Sequence, residues 1–160
     1  METSAMSSQA VEFLAPVISA LEQALGDDLI ALVLFGSRAR DDARSDSDWD
    51  LLLIADGLPL NTLQRHFFLK QLLPPELAGQ LSLVTQTPAE LDSYLTSLFL
   101  DIALDGIVLY DTDNFITTRL DQARQIIRQK KLQRKQANGE FSWQWDTPQG
   151  FNWSIEWGKA

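Results

Sequence analysis

Residues 32–54, LVLFGSRARDDARSDSDWDLLLI, constrain this chain more tightly than any other stretch. They read as an apolar strand over 32–35, a Gly36-Ser37 turn, a short segment carrying Arg38 and Arg40, and a second apolar strand over 49–54 introduced by Asp48 and Asp50. Strand side chains alternate between faces, so Asp48 and Asp50 project to one side and Trp49 to the other. Two carboxylates so close raise each other's pKa and call for a compensating cation. Oxygen-only ligands suit Mg²⁺, a hard ion that takes one or two carboxylates and fills its remaining positions with water and substrate phosphates. A helix starting just after Gly36 would turn its free N–H groups and positive end toward an anion beside those acids, with the Ser37 hydroxyl as a further donor. The stretch therefore describes a pocket for a metal-bound polyphosphate.

A chain of 160 residues with 45% hydrophobic content is long enough for one domain with a real core and too short to expect two. There is no Cys, so neither a disulfide nor a thiolate metal site can form, and a single His excludes His-rich zinc arrangements. No apolar run approaches the roughly 20 residues that span a bilayer, and the N-terminus lacks a signal-peptide pattern. A soluble, cytoplasmic protein is expected. The net charge of −9 argues against nucleic-acid binding through the whole surface. Seven of the thirteen basic residues nevertheless fall within 119–135, opposed only by Asp121. This basic run reads first as the solvated face of a helix, and second as a site for RNA or an acidic partner.

Along the chain, Val11, Leu14, Ile18, Leu21 and Leu25 recur at helical spacing over 8–25, with Pro16 marking a start or a kink. LIALVLF at 29–35 is an unbroken apolar run, as a strand covered on both faces would be. Asn61 is placed to cap a helix through Leu73, ended by Pro74-Pro75; His66 on that helix reads as a structural or surface residue. A third strand is expected over 80–86, and Thr87-Pro88-Ala89-Glu90 is a capping box opening a helix into Leu98. Residues 98–104 form another helical stretch, 107–110 a short strand, and 115–135 a last helix with Ile116, Leu120, Ala123 and Ile127 on its buried stripe. Interleaved helices and strands predict an α/β fold with a small mixed sheet flanked by helices.

Beyond Asn138-Gly139 the character changes. Phe141, Trp143 and Trp145 alternate with polar residues, a turn is expected at 146–150, and Phe151, Trp153, Ile155 and Trp157 alternate again. This is a β-hairpin pattern with one aromatic face, which must pack on its own domain, on a partner or second copy, or on nucleic-acid bases.

Gly36-Ser37, ten intervening residues, then Asp48-Trp49-Asp50 resembles the signature of the minimal nucleotidyltransferases, a branch of the DNA polymerase β-like superfamily. The resemblance covers roughly residues 10–135 and implies a nucleotidyltransferase domain at 1–137 with the hairpin at 138–160 as an extension. It implies attack by a hydroxyl on the α-phosphate of a nucleoside triphosphate, ATP foremost, with Asp48 and Asp50 on one or two Mg²⁺ ions and Gly36 and Ser37 on the β/γ-phosphates. Arg38 and Arg40 would meet the leaving pyrophosphate or the acceptor. Two departures stand out. Asp41 replaces the Gly that many relatives carry after the Arg-rich run, a position where a left-handed turn is tolerated by Asp. The third metal-binding acid of complete relatives is matched by Ser82, which leaves Asp101, with Asp105 one turn on, as the nearest carboxylates to replace it. The resemblance also implies a toxin-like protein partner, beside which small members often act and to whose side chain they can transfer AMP. The expectation is therefore transfer to a protein or RNA hydroxyl; the alternative is an antitoxin-like or regulatory subunit that binds nucleotide with little or no turnover.

Overall fold

The computed structural model describes residues 2–145. A four-stranded sheet runs through its centre in the order β3-β2-β1-β4, from β1 (Leu29–Phe35), β2 (Trp49–Ala55), β3 (Leu81–Gln86) and β4 (Ile107–Asp111). β1 lies antiparallel to β2 and β4, whereas β2 and β3 are parallel, so the sheet is mixed as expected. The two inner strands are covered on both faces, which explains why they read as continuous apolar runs instead of alternating ones.

One face is closed by α1 (Glu2–Leu25) and α3 (Thr62–Leu72), whose Leu14, Leu21 and Leu69 meet Leu32, Leu34, Leu51 and Leu53. Pro16 sits inside α1 without ending it. The other face is closed by α5 (Pro88–Ser93), α6 (Ser97–Asp105) and α7 (Phe115–Gln129), where Phe99, Ile102, Ile116 and Leu120 meet Ala31, Val33, Leu52 and Ile54. Two single turns, α2 (Ser37–Arg40) and α4 (Pro75–Ala78), complete the set. Among the described residues no helix is long and apolar enough to cross a membrane.

The expected caps are present. The Asn61 side chain accepts from the Leu63 and Gln64 amides, and Thr87 and Glu90 form the reciprocal capping box. The helix expected into Leu98 stops earlier: Tyr94 is extended, and the Thr96 hydroxyl caps a new helix by accepting from the Phe99 amide at 3.1 Å.

The largest departure is at the C-terminal end. The helix expected over 115–135 ends at Gln129, Lys131 turns at φ 51°, and the chain enters β5 (Leu132–Ala137). β5 pairs antiparallel with β6 (Glu140–Trp145) across Asn138-Gly139, both at positive φ as a type I′ turn requires. An aromatic C-terminal hairpin thus exists, but its other strand comes from the basic run; the turn at 146–150 and the strand at 151–157 lie outside the described residues. Register places Leu132, Arg134 and Gln136 on one face with Phe141, Trp143 and Trp145. Trp143 and Trp145 pack on the cluster beneath α6 and α7, and the Trp143 indole donates to Asp101 at 3.0 Å.

The basic run is accordingly no single helix face. Arg119 grips Asp92 through two bonds of 2.7 and 2.8 Å, Arg124 donates to the Ala103 carbonyl, and Arg134 holds Asp105. A continuous cationic helix over 119–135, on which the RNA reading rested, does not form.

Candidate active site

β1 ends at Phe35, and Gly36 turns the chain at φ 74°, ψ −158° into α2. A side chain at Gly36 would suffer twice: that backbone conformation disfavours L-residues, and a Cβ would overlap the Asp50 carboxylate. Gly36 is thus what lets the turn close onto the acid. The Ala39 and Arg40 amides bond back to the Gly36 carbonyl at 3.1 Å, and the Ser37 and Arg38 amides, the first of the turn, have no partner within it. α2 is only one turn long and ends at Asp41, left-handed at φ 62°, the conformation its place in the sequence led us to expect.

Asp50 opens β2 and is paired with Phe35 of β1 on one side and Ser82 of β3 on the other. The three side chains therefore form a row across the sheet on the face covered by α5, α6 and α7. Burial pushes the Asp50 carboxyl above its ordinary range; a hydrogen bond with Ser82 opposes this, the charge of Asp48 adds to it, and Arg40 opposes it. Asp48, one residue before the strand, is exposed. Ser82 stands beside Asp50, as the register of the third strand implied.

The two arginines do different things. Arg38 donates to the Ser47 carbonyl from Nε and Nη2 at 3.3 and 2.9 Å and lies 4.8 Å over the Trp49 ring, which stacks on Phe13 of α1. It braces the loop that delivers Asp48. Arg40 binds Asp42 at 3.1 Å, approaches Asp105 at 3.7 Å and lies 4.8 Å over Phe141. Asp105 is in turn held by Arg134 at 2.6 Å, and Asp101 by Arg134 at 3.4 Å and by Trp143. Both α6 acids are thus occupied in fastening the hairpin. Sequence reasoning missed these duties because, apart from the Arg40–Asp42 pair, they join residues nine or more apart in the chain.

Among the described residues no three His, Cys, Asp or Glu side chains converge as a metal cage. Asp48, Asp50 and the Ser82 hydroxyl instead make an oxygen-lined, half-finished site, which fits a Mg²⁺ ion that completes its shell with substrate phosphates and water. On the other face of the sheet a cavity of about 380 Å³ lies between α3 and β3, lined by Leu69, Leu81, Leu83 and Thr85 and bordered by Asp48 and Ser82.

The profile of the family Polymerase beta, Nucleotidyltransferase matches residues 17–115. The chain is 34% identical over 114 residues to "Putative protein adenylyltransferase MJ1305" of Methanocaldococcus jannaschii, an alignment covering 69% of this chain and 78% of that protein. Its fold is similar to a crystal structure described as a toxin-antitoxin with AMP-PNP, at TM-score 0.50 and 22% identity over 73% of this chain and 91% of that one.

Proposed function

Because the chain belongs to the polymerase β nucleotidyltransferase family, we propose that it transfers the nucleoside monophosphate of a Mg²⁺-bound nucleoside triphosphate, ATP foremost, to a side-chain hydroxyl of a partner protein. The observation that carries this reading is the closure of Gly36 onto Asp50, which sets phosphate donors and metal-binding oxygens side by side. The adenylyltransferase relative supports AMP as the transferred group and protein as the acceptor.

In this reading the Ser37 and Arg38 amides and the Ser37 hydroxyl hold the β/γ-phosphates. Asp48 and Asp50 hold the ion, which supplies positive charge to the triphosphate and offsets the mutual repulsion of the two acids. Arg38 keeps the loop 41–48 in the conformation that presents Asp48. Arg40, on the Asp50 side of α2, contributes the remaining positive charge.

A second reading is favoured by Ser82. A neutral hydroxyl where complete relatives carry a third acid leaves the nucleophile's side poorly supplied with charge, as in an antitoxin-like or regulatory subunit that binds nucleotide with little turnover. Incubation with ATP labelled at the α-phosphate, Mg²⁺ and candidate acceptors separates the two. Pyrophosphate release with covalent label marks the enzyme; nucleotide binding without either marks the regulatory subunit.

A further inference from the structure

The two arginines of α2 are held by different parts of the chain. Arg38 is braced locally, by the Ser47 carbonyl and the Trp49 ring. Arg40 has one partner on its own loop, Asp42, whose side chain is exposed, and an ion pair of that kind fixes a long side chain weakly. α2 itself is a single turn, too short to be rigid without support. The support comes from Asp105, at the end of α6, and from Phe141 on β6.

Those two neighbours are fixed by a third residue, Arg134 of β5. It grips Asp105 with both Nη groups, at 2.6 and 3.0 Å, and its guanidinium lies 4.3 Å from the Phe141 ring. Phe141 and Asp105 therefore both stand between the same two guanidiniums. The arrangement is unequal. Arg134 makes the short, charge-assisted bonds and takes up the Asp105 carboxylate. Arg40 stays 3.7 Å from that carboxylate, beyond hydrogen-bond range, and 4.8 Å over the ring. From this position its charge reaches Asp50 and favours the ionised carboxylate.

We propose that Phe141 and Asp105 are positioning residues for the triphosphate: they hold Arg40 beside Asp50, so that the C-terminal hairpin, which lies beyond residues 17–115 of the family match, governs how tightly the pyrophosphate half is bound. The proposal rests on the nucleotidyltransferase reading, in which that half lies at Gly36 and Ser37. The attraction at Phe141 needs the negative face of an aromatic ring, so an aliphatic side chain of similar bulk fills the space without replacing it. At Asp105 two effects have opposite signs. A carboxylate near the site repels phosphate, so its removal alone would tighten binding; loss of an anchor for Arg40 weakens it. The second effect prevails because Arg134 already neutralises Asp105.

The test is calorimetric and needs no acceptor. The full chain, with Mg²⁺ present, is titrated with inorganic pyrophosphate and with the ATP analogue whose α- and β-phosphates are bridged by a methylene. The variants are Phe141→Leu, Phe141→Tyr, which keeps the ring, and Asp105→Asn, which keeps an acceptor for Arg134. Each is made again in the Arg40→Gln background, and melting temperature reports folding. We expect Phe141→Leu and Asp105→Asn each to weaken both probes by about tenfold, and Phe141→Tyr to match wild type. Neither substitution should add to the loss that Arg40→Gln itself causes. An affinity unmoved in Phe141→Leu, unmoved or tightened in Asp105→Asn, or lost equally with and without Arg40 overturns the proposal and leaves the nucleotidyltransferase reading standing. If Phe141→Leu melts below the assay temperature, Asp105→Asn decides by the sign of its change. A wild-type chain that binds neither probe overturns both.

Discussion

Burial holds the Asp50 carboxyl above its ordinary range, and the neighbouring Asp48 charge adds to the effect. A carboxyl whose pKa is raised by folding binds its proton more tightly in the folded chain than in the unfolded one. Its ionisation therefore subtracts stability as pH rises from the unfolded value through the folded one. At neutral pH without metal, Asp50→Asn should raise the melting temperature, a gain that vanishes in acid, where the wild-type carboxyl is itself neutral. The same substitution combined with Asp48→Asn should weaken Mg²⁺–ATP binding by at least about a hundredfold, since loss of mere outer-shell partners already costs 10–100-fold. Calorimetry and thermal melts on the variants check both halves. Ser82→Asp runs the other way: a third acid beside Asp50 raises repulsion and lowers apo stability, and should raise the transfer rate once Mg²⁺ and an acceptor are supplied. A variant slower than wild type would mean that the row Phe35-Asp50-Ser82 is not the metal face. This row, the Gly36 turn and the left-handed Asp41 were legible in the sequence because each depends on strand alternation or on one residue's backbone preference. The partners of Arg38, Asp101 and Asp105 were not, because nothing local specifies them.

The starts capped by Asn61 and Thr87 were read correctly, whereas the Thr96 cap that opens α6 and the ends set by distant contacts were not. The Thr87 capping box is one of the former, and it has a second duty. Glu90, while closing the box, also receives both Nη groups of the buried Arg65 at 2.9 and 3.0 Å, tying α5 to α3. The Arg65 guanidinium, followed by the Thr87 amide, holds the Glu90 carboxyl below its ordinary value of 4.5 against the opposing effect of burial. Glu90→Gln should cost about 1–3 kcal/mol at pH 7, less than a fully buried pair would because Glu90 itself is 40% exposed. A carboxylate with a lowered folded pKa contributes in full above its unfolded value and loses that contribution as pH falls through the folded one. The gap between wild type and variant in urea unfolding should therefore persist down to about pH 4.5 and close below it. A gap independent of pH would assign the loss to packing alone. β5 shows the opposite case. Its inward positions are Leu132, Arg134 and Gln136, so the alternation that marks a strand is absent, and Arg134 is tolerated there only because Asp101 and Asp105 on α6 neutralise it. The signal that was present, Asn138-Gly139, is the preferred type I′ turn pair.

At the scale of the molecule, the hairpin finishes the core on the same face as the acids. Trp143 and Trp145 pack on the cluster under α6 and α7, and Phe141 lies between the guanidiniums of Arg40 and Arg134 at 4.8 and 4.3 Å. Ending the chain at Gly139 should cost about 2–4 kcal/mol for the lost aromatic burial, a fall of about 5–10 °C in melting temperature. An unchanged melting temperature would show the hairpin to be an appendage. The chemistry proposed for Gly36, Ser37, Asp48 and Asp50 is tested most directly by the fate of the two ends of ATP. With Mg²⁺ and an acceptor, label at the α-phosphate should become acid-stable and covalent while label at the γ-phosphate leaves as pyrophosphate, and both should be lost in the Asp48→Asn, Asp50→Asn chain. Release of the γ-label as inorganic phosphate, or transfer undiminished in the double variant, would contradict it.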